Sequence, residues 1–299
     1  TGICDNFLLA VYLSAKCPVM LAPAMDRDMY LHQSTQANLQ ELNGRGHIIV
    51  DPGTGELASG LEGKGRMAEA EELFEKIDEF FHPDLKLKGL NALVTAGPTY
   101  ERIDPVRFIG NFSTGKMGYA IAEELARQGA SVTLVSGPSH ERVVDHRINL
   151  IKVTSAQEMF DACVGLWEQT NIGVMSAAVA DYRPKQMAKE KIKKTSSSLS
   201  IELEKTTDIL AHLGKNKTGQ YLVGFALETS NELENAKLKL KNKNLDLIVL
   251  NSLNDKGAGF GHDTNKVTLL SVSNKITSFE LKSKAAVAAD IVRTIIEEK

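Results

Sequence analysis

The sequence predicts an α/β protein built on a doubly wound, mostly parallel sheet, and three observations carry that prediction. Short apolar runs alternate with longer segments of helical period, the pattern of strands wound with helices. The 299 residues exceed the roughly 100 to 200 of one domain, so two domains, or one and a large part of another, are expected. At 42% apolar and 24% charged residues the composition is that of an ordinary globular protein, which excludes a disordered or collagenous chain. The 35 Lys and Arg against 38 Asp and Glu give a formal charge of -3, which offers no broad field for nucleic acid or an anionic membrane.

The chain lacks an initiator Met and opens inside Phe7 to Leu13, which reads as an amphipathic helix, so the start is expected to be a truncation. No signal peptide is legible, and no run approaches the roughly 18 apolar residues of a membrane span. Cys4, Cys17 and Cys163 fit neither a disulfide framework nor a CxxC metal site, and the expected location is cytoplasmic. Strands are expected at Val19 to Ala22 and His47 to Val50. Leu31, Leu39 and Leu42 give one helix between them, stopped by Gly44 and Gly46, and a second helix runs from about Glu69 to Phe81. The polar stretch His82 to Gly89 reads as a linker, dividing the chain into domains 1–85 and 86–299. Beyond it the expected strands are Asn91 to Ala96, Val132 to Ser136, Ile148 to Val153, Ile172 to Ser176, Tyr221 to Phe225 and Leu245 to Leu250. A hairpin of Lys266 to Ser271 with Ile276 to Glu280 and a helix from about Ser283 to Glu298 close the chain. Ser196 to Ser198 is a loop.

The strand ending in Thr95-Ala96-Gly97-Pro98-Thr99 is followed by a helix only at about Gly115. Long loops at the carboxyl ends of parallel strands tend to carry function. This one holds Arg102, Asp104, Arg107 and Asn111, then Ser113-Thr114-Gly115-Lys116 at the helix start, where backbone N–H groups and the helix dipole favour an anion. The segment Gly110 to Met117 nearly matches GxxxxGK[ST] but ends in Met117 where a hydroxyl would hold Mg2+, and no GxGxxG follows a strand. Gly257 to Gly261 reads as a mobile loop. A second strand end, Met175-Ser176-Ala177-Ala178-Val179-Ala180-Asp181, has side chains small enough for a flat ligand, with Asp181 suited to a base edge, a hydroxyl or a metal ion. Lys191-Ile192-Lys193-Lys194 is either a solvated face or a polyphosphate clamp. Lys237, Lys239, Lys241 and Lys243 alternate, so at most two of them reach one ligand on a helix.

These strings together resemble a known family. TAGPTYERIDPVRFIGNFSTGKMG at 95–118, AAVADYRP at 177–184, KIKK at 191–194 and GFALET at 224–229 are similar to the Rossmann-like ligase half of the bacterial bifunctional coenzyme A biosynthesis flavoproteins, phosphopantothenate cysteine ligase. The first third resembles the other half, the flavodoxin-like phosphopantothenoylcysteine decarboxylase that uses FMN. It carries APAMDRDMY at 22–30, GELASG at 55–60 and GKGRM at 63–67. Asp26 stands where the family commonly has Asn, and Ser59 where its best-known members place an acid cysteine. A hydroxyl is a far weaker acid than a thiol of pKa ~8.5, which makes Ser59 a poor proton donor. The resemblance places most of the flavin site in an earlier part of the fold that this sequence lacks, so this third is expected to be the C-terminal part of a former decarboxylase site that binds no FMN by itself.

The resemblance implies that 4'-phosphopantothenate and L-cysteine are joined through an acyl-cytidylate made from CTP with Mg2+. Asn111 and Lys191 would be catalytic, Asn111 by donating its amide to the developing oxyanion. Met175, Ser176, Ala177, Asp181, Thr206, Thr207, Asp208, Ile209, Phe225, Lys239 and Lys243 would border the nucleotide, Asp181 also holding the metal, and Ser113, Thr114, Gly115 and Lys116 would bind the acid. A homodimer through the ligase domain is expected.

Overall fold

The computed structural model describes residues 3–81, 85–193, 199–228, 230–252, 259 and 261–299, which fall into two units, Thr1–Pro83 and Asp84–Lys299. In the first unit, α1 (Phe7–Ser14) is capped by Asn6, whose side chain accepts from the Leu9 amide at 3.0 Å. It is not amphipathic as expected: apolar residues occupy nearly every position, no polar face exists, and none of its residues is buried. The short strands β1 (Met20–Leu21) and β2 (Ile48–Ile49) pair in parallel. The single helix expected between them is two, α2 (Arg27–Leu31) and α3 (Gln33–Gly44), because His32 turns extended and its ring caps the Ser34 amide. The hairpin β3 (Gly53–Glu56) and β4 (Glu62–Arg66) escaped the sequence reading, since its glycines and charges carry no apolar alternation. Helix α4 (Ala70–Phe81) completes the unit.

The second unit begins where the linker was expected. His82, Pro83 and Asp84 lie outside the described residues, but Leu87 is buried and its amide donates to the Gln128 carbonyl at 2.9 Å, so this half of the segment belongs to the fold. The elements that follow are β5 (Asn91–Ala96), β6 (Tyr100–Arg102), β7 (Phe108–Gly110), α5 (Lys116–Arg127), β8 (Ser131–Ser136), β9 (Asn149–Lys152), α6 (Ala156–Trp167) and β10 (Ile172–Met175). Then come β11 (Tyr182–Pro184), β12 (Leu203–Lys205), α7 (Ile209–Lys215), β13 (Tyr221–Glu228), α8 (Glu232–Asn242) and β14 (Leu247–Ser252). The chain ends with β15 (Thr264–Asn265), β16 (Val267–Ser271), β17 (Ile276–Ser278), β18 (Lys282–Ser283) and α9 (Lys284–Glu298).

Among the described residues, eight strands form one sheet in the order β17-β16-β14-β13-β10-β5-β8-β9. The six from β14 to β9 are parallel, and the closing hairpin extends the edge antiparallel. The alternation of side chains explains the double winding. In β5, Ala92, Val94 and Ala96 join the core under α5 and α9, whereas Leu93 joins the core under α6, α7 and α8. Both faces are apolar, so helices cover both. Chain order runs outward in opposite directions from β5 and β10, which makes their carboxyl ends a topological switch point, the place where ligands enter open α/β sheets.

Two connections are less open than expected. The loop after β5 contains the antiparallel pair β6 and β7, with Tyr100 and Phe108 stacked at 3.8 Å. The segment after β10 contains β11, paired with β12. The SSS loop lies outside the described residues, as do Lys194, Thr229 and all of the glycine-rich segment except Gly259 and Gly261. Among the described residues no helix is long and apolar enough to cross a membrane.

Candidate active site

At the switch point the two strand ends are tied together by short polar contacts. Ser176 Oγ donates to the Thr95 carbonyl at 2.6 Å, the Ala177 amide to Thr95 Oγ1 at 3.2 Å, and the Ala180 amide to Thr99 Oγ1 at 3.0 Å. Asn111, carried back over the crevice by β6 and β7, donates its Nδ2 to the carbonyls of Ala178 at 2.9 Å and Val179 at 3.3 Å. The result is a cavity of about 720 Å³, within the range of small-molecule sites.

One end of the cavity is the N-terminus of α5. Gly115 has φ +87° and a Cβ there would lie 3.1 Å from Ser139 Oγ, so only glycine lets Ser113 to Lys116 turn under the helix. Gly118 allows α5 to touch the sheet: a Cβ would lie 2.6 Å from Ala96 Cβ and 2.7 Å from Ser176 Oγ. Free helix N–H groups therefore sit beside the β5 and β10 ends. Lys116 pairs with Asp263, which raises the lysine's pKa and lowers the aspartate's.

The opposite end is built by α7 and α8. Asp208 caps α7 through the Ala211 amide at 2.9 Å and pairs with Lys243 at 2.7 Å. Burial works to raise its pKa, but the hydrogen bonds from Lys243 and Ala211 outweigh it and the carboxylate is held low. Lys239 donates to the Phe225 carbonyl at 2.6 Å, and burial followed by repulsion from Lys243 pushes its pKa down. Thr206 fixes the adjoining turn by donating Oγ1 to the Ala180 carbonyl at 2.6 Å.

The structure brings together Asn111, Ser113, Thr114, Gly115, Lys116, Met175, Ser176, Ala177, Asp181, Thr206, Thr207, Asp208, Ile209, Phe225, Lys239 and Lys243, all on the cavity wall. Of the four alternating lysines, the two facing in are Lys239 and Lys243, while Lys237 and Lys241 are exposed. Lys191 is not on the wall; it is exposed beside Ile192, whose amide donates to buried Asp104 at 3.2 Å and whose carbonyl accepts from Arg107. Asp26 and Ser59 are not brought together either. Asp26 caps α2 near Gly65, at the base of the β3 and β4 hairpin, and Ser59 lies in the turn at its tip. Sequence reasoning missed Lys284, Asn265 and Asn251 on the cavity wall. Lys284 follows the cap Ser283 and has the local pattern of an ordinary first-turn helix residue; no spacing in the sequence signals that β15 and β18 pair and draw it inward.

Comparison with known proteins agrees with this architecture. Residues 87–298 match the DNA/pantothenate metabolism flavoprotein C-terminal domain, and residues 1–82 match the flavoprotein family. A cysteine/cysteine sulfinic acid decarboxylase from an unknown prokaryotic organism is 53% identical over 99% of this chain and 84% of its own. The coenzyme A biosynthesis bifunctional protein CoaBC of Haemophilus influenzae is 44% identical over 99% of this chain and 74% of its own. The crystal structure of a CoaBC C-terminal domain, 40% identical, superposes with a TM-score of 0.61 over 71% of this chain and 96% of that one. The chain belongs to the CoaBC family of flavoprotein and DNA/pantothenate metabolism domains.

Proposed function

We propose that the cavity of the second unit is a phosphopantothenate cysteine ligase site that uses CTP. The observation that carries this reading is one cavity whose wall carries Lys116 beside the α5 N-terminus and Lys239 with Lys243 from α8 and its C-cap, together with Asn111, Ala177 and the Asp181 carboxylate. A reaction between a phosphorylated acid and a nucleoside triphosphate needs that charge distribution, since each reactant brings its own anion. The nucleotide lies toward Phe225, Lys239 and Lys243, and the phosphate of 4'-phosphopantothenate lies at Ser113 to Lys116. The acid's carboxylate oxygen attacks the α-phosphorus and pyrophosphate leaves. The cysteine amine then attacks the acyl carbonyl, loses a proton and displaces CMP, leaving the amide.

Asn111 serves the second step. Its Nδ2 already makes two bonds to backbone carbonyls, and the longer, to Val179, is the one exchanged for the substrate oxyanion. Lys191 is exposed and off the cavity wall, so it touches neither reactant in this arrangement. Among the described residues no three His, Cys, Asp or Glu side chains form a metal centre, and of the two carboxylates on the wall Asp208 is taken by Lys243. Asp181 therefore suits a Mg2+ that arrives with the triphosphate, because this ion commonly takes one or two carboxylates besides phosphate oxygens. When bound it neutralises charge on the phosphates.

The match of the first unit to the flavoprotein family implies FMN there. Among the described residues of that unit the buried apolar side chains are Tyr30, Val50 and Ala68. The test is pyrophosphate release measured with each reactant omitted in turn. Release that requires both 4'-phosphopantothenate and CTP is expected, together with a requirement for a divalent metal. No release in the complete mixture overturns the ligase reading. The 53% identical decarboxylase supplies a second reading, and carbon dioxide evolved from cysteine or cysteine sulfinic acid, without nucleotide, would favour it.

A further inference from the structure

We propose that Lys284 is a specificity-determining residue which, with Lys116, holds the phosphate monoester of the acid substrate and so selects a phosphorylated acid over its free alcohol. This deepens the ligase reading and rests on it. Lys284 is 8% exposed yet lies on the cavity wall. Its backbone is fixed on both sides: its amide donates to the Asp263 carbonyl at 3.0 Å, and Thr264 pairs with Ser283 in the two strands before it. Its ammonium donates to the Gly259 carbonyl at 3.2 Å, and among the described residues it forms no ion pair. An ammonium has three protons to place, so this partner leaves donor capacity unused.

The position is unfavourable for a lysine in the free protein. It stands in the first turn of α9, the positive end of that helix. Burial, then repulsion from Lys116, lowers its pKa. Lys116, by contrast, is neutralised by Asp263, a side chain 86% exposed. Two ammonium groups and the N-termini of α5 and α9 meet here, with Asp263 and Glu141 as the carboxylates that act on both lysines. A dianionic tetrahedral group supplies what is missing: enough oxygens for Lys284 and the free helix amides, and enough charge to compete with Asp263 for Lys116. A hydroxyl in the same place leaves Lys284 uncompensated. Gly118 brings the N-terminal turn of α5 against the sheet, since a Cβ there would lie 2.6 Å from Ala96 Cβ.

The experiment compares 4'-phosphopantothenate with pantothenate as acids in pyrophosphate release at saturating CTP, for the wild-type chain, Lys284→Gln, Lys284→Arg and Asp263→Asn. Lys284→Gln is expected to raise KM for 4'-phosphopantothenate about 10- to 100-fold, with KM for pantothenate and for CTP changed by no more than about twofold. Lys284→Arg keeps most of the preference. Asp263→Asn, at an exposed site, frees Lys116 and lowers KM for the phosphorylated acid several-fold. An unchanged KM in Lys284→Gln, an equal rise for both acids, or an unchanged or raised KM in Asp263→Asn overturns the proposal. Calorimetric titration with inorganic phosphate separates its failure from that of the ligase reading. Binding that Lys284→Gln weakens upholds the phosphate seat even if no acid is turned over, and binding that it leaves unaltered overturns the seat even if the ligase is active.

Discussion

Asn111 and Lys239 each bind a backbone carbonyl in the free cavity, and each bond makes a prediction about the chemistry. Asn111→Asp replaces a donor by an anion facing the carbonyl oxygens of Ala178 and Val179. Loss of one oxyanion donor costs about 2.7 to 4 kcal/mol, roughly a hundred- to a thousandfold in kcat. Activation at phosphorus does not use this amide, so pyrophosphate should appear in a burst near one per site while amide formation stalls. Quenched-flow mass spectrometry would find the acyl-cytidylate accumulating; normal turnover, or CTP bound without a burst, would show that Asn111 has another role. Lys239 carries a pH dependence whose sign follows from burial. Its folded pKa lies below the usual ~10.4 of an unfolded lysine. As pH rises through the lowered value, the folded chain gives up a proton that the unfolded chain retains, so stability rises toward 10.4. Over the same interval the site loses a cation, and kcat/KM for CTP should fall at a lower pH than an exposed lysine would produce. Lys239→Arg, which stays protonated, should shift that alkaline limb upward; an unmoved limb would assign it to a different group.

The element that positions most of this chemistry is α5, and its contact with the sheet is set by Gly118. A methyl group there would meet Ala96 Cβ at 2.6 Å, Ser176 Oγ at 2.7 Å and the Thr95 carbonyl at 2.9 Å, all belonging to or adjoining the central strands. Gly118→Ala must therefore lift the helix from β5 and β10. Overpacking of this kind costs about 1 to 3 kcal/mol, and it moves the helix N–H groups away from the anion seat. A lowered Tm together with a raised KM for 4'-phosphopantothenate is expected, measurable by calorimetry and pyrophosphate release. An unchanged KM would separate the seat from the helix. What was legible in the sequence divides along the same line. The strands buried on both faces, such as Val94 and Val174, were readable because apolar runs bounded by polar turns admit few other placements. The pairs β6 with β7 and β11 with β12 were not, since strands of three residues lack room for a period. In the site, Asn111 and Lys116 were legible from local motifs. Lys284 was not, because β15 and β18 bring it in from a separate part of the chain.

At the scale of the molecule, the proposed site is built from the second unit. Every described residue on the wall of the cavity comes from Asp84–Lys299, from Thr95 at one end of the numbering to Lys284 at the other. That unit also owns a two-sided core: Leu125, Val287 and Ile291 pack on one face of the sheet, and Met159, Leu213 and Leu240 on the other. Its own terminal segments are anchored, with Leu87 buried near the start and Ile295 fully buried in the last helix. The first unit lacks comparable burial, and its α1 leaves Phe7 and Leu8 85% and 74% exposed. A core closed within one unit needs no apolar surface from another to fold. Residues 84–299 produced alone should thus unfold cooperatively and release pyrophosphate with kcat/KM values for CTP and 4'-phosphopantothenate within a few-fold of the whole chain. Retained folding with activity lost would mean that the first unit supplies a residue or an assembly the site depends on. Loss of cooperative unfolding would mean that the core of the second unit is completed from outside it.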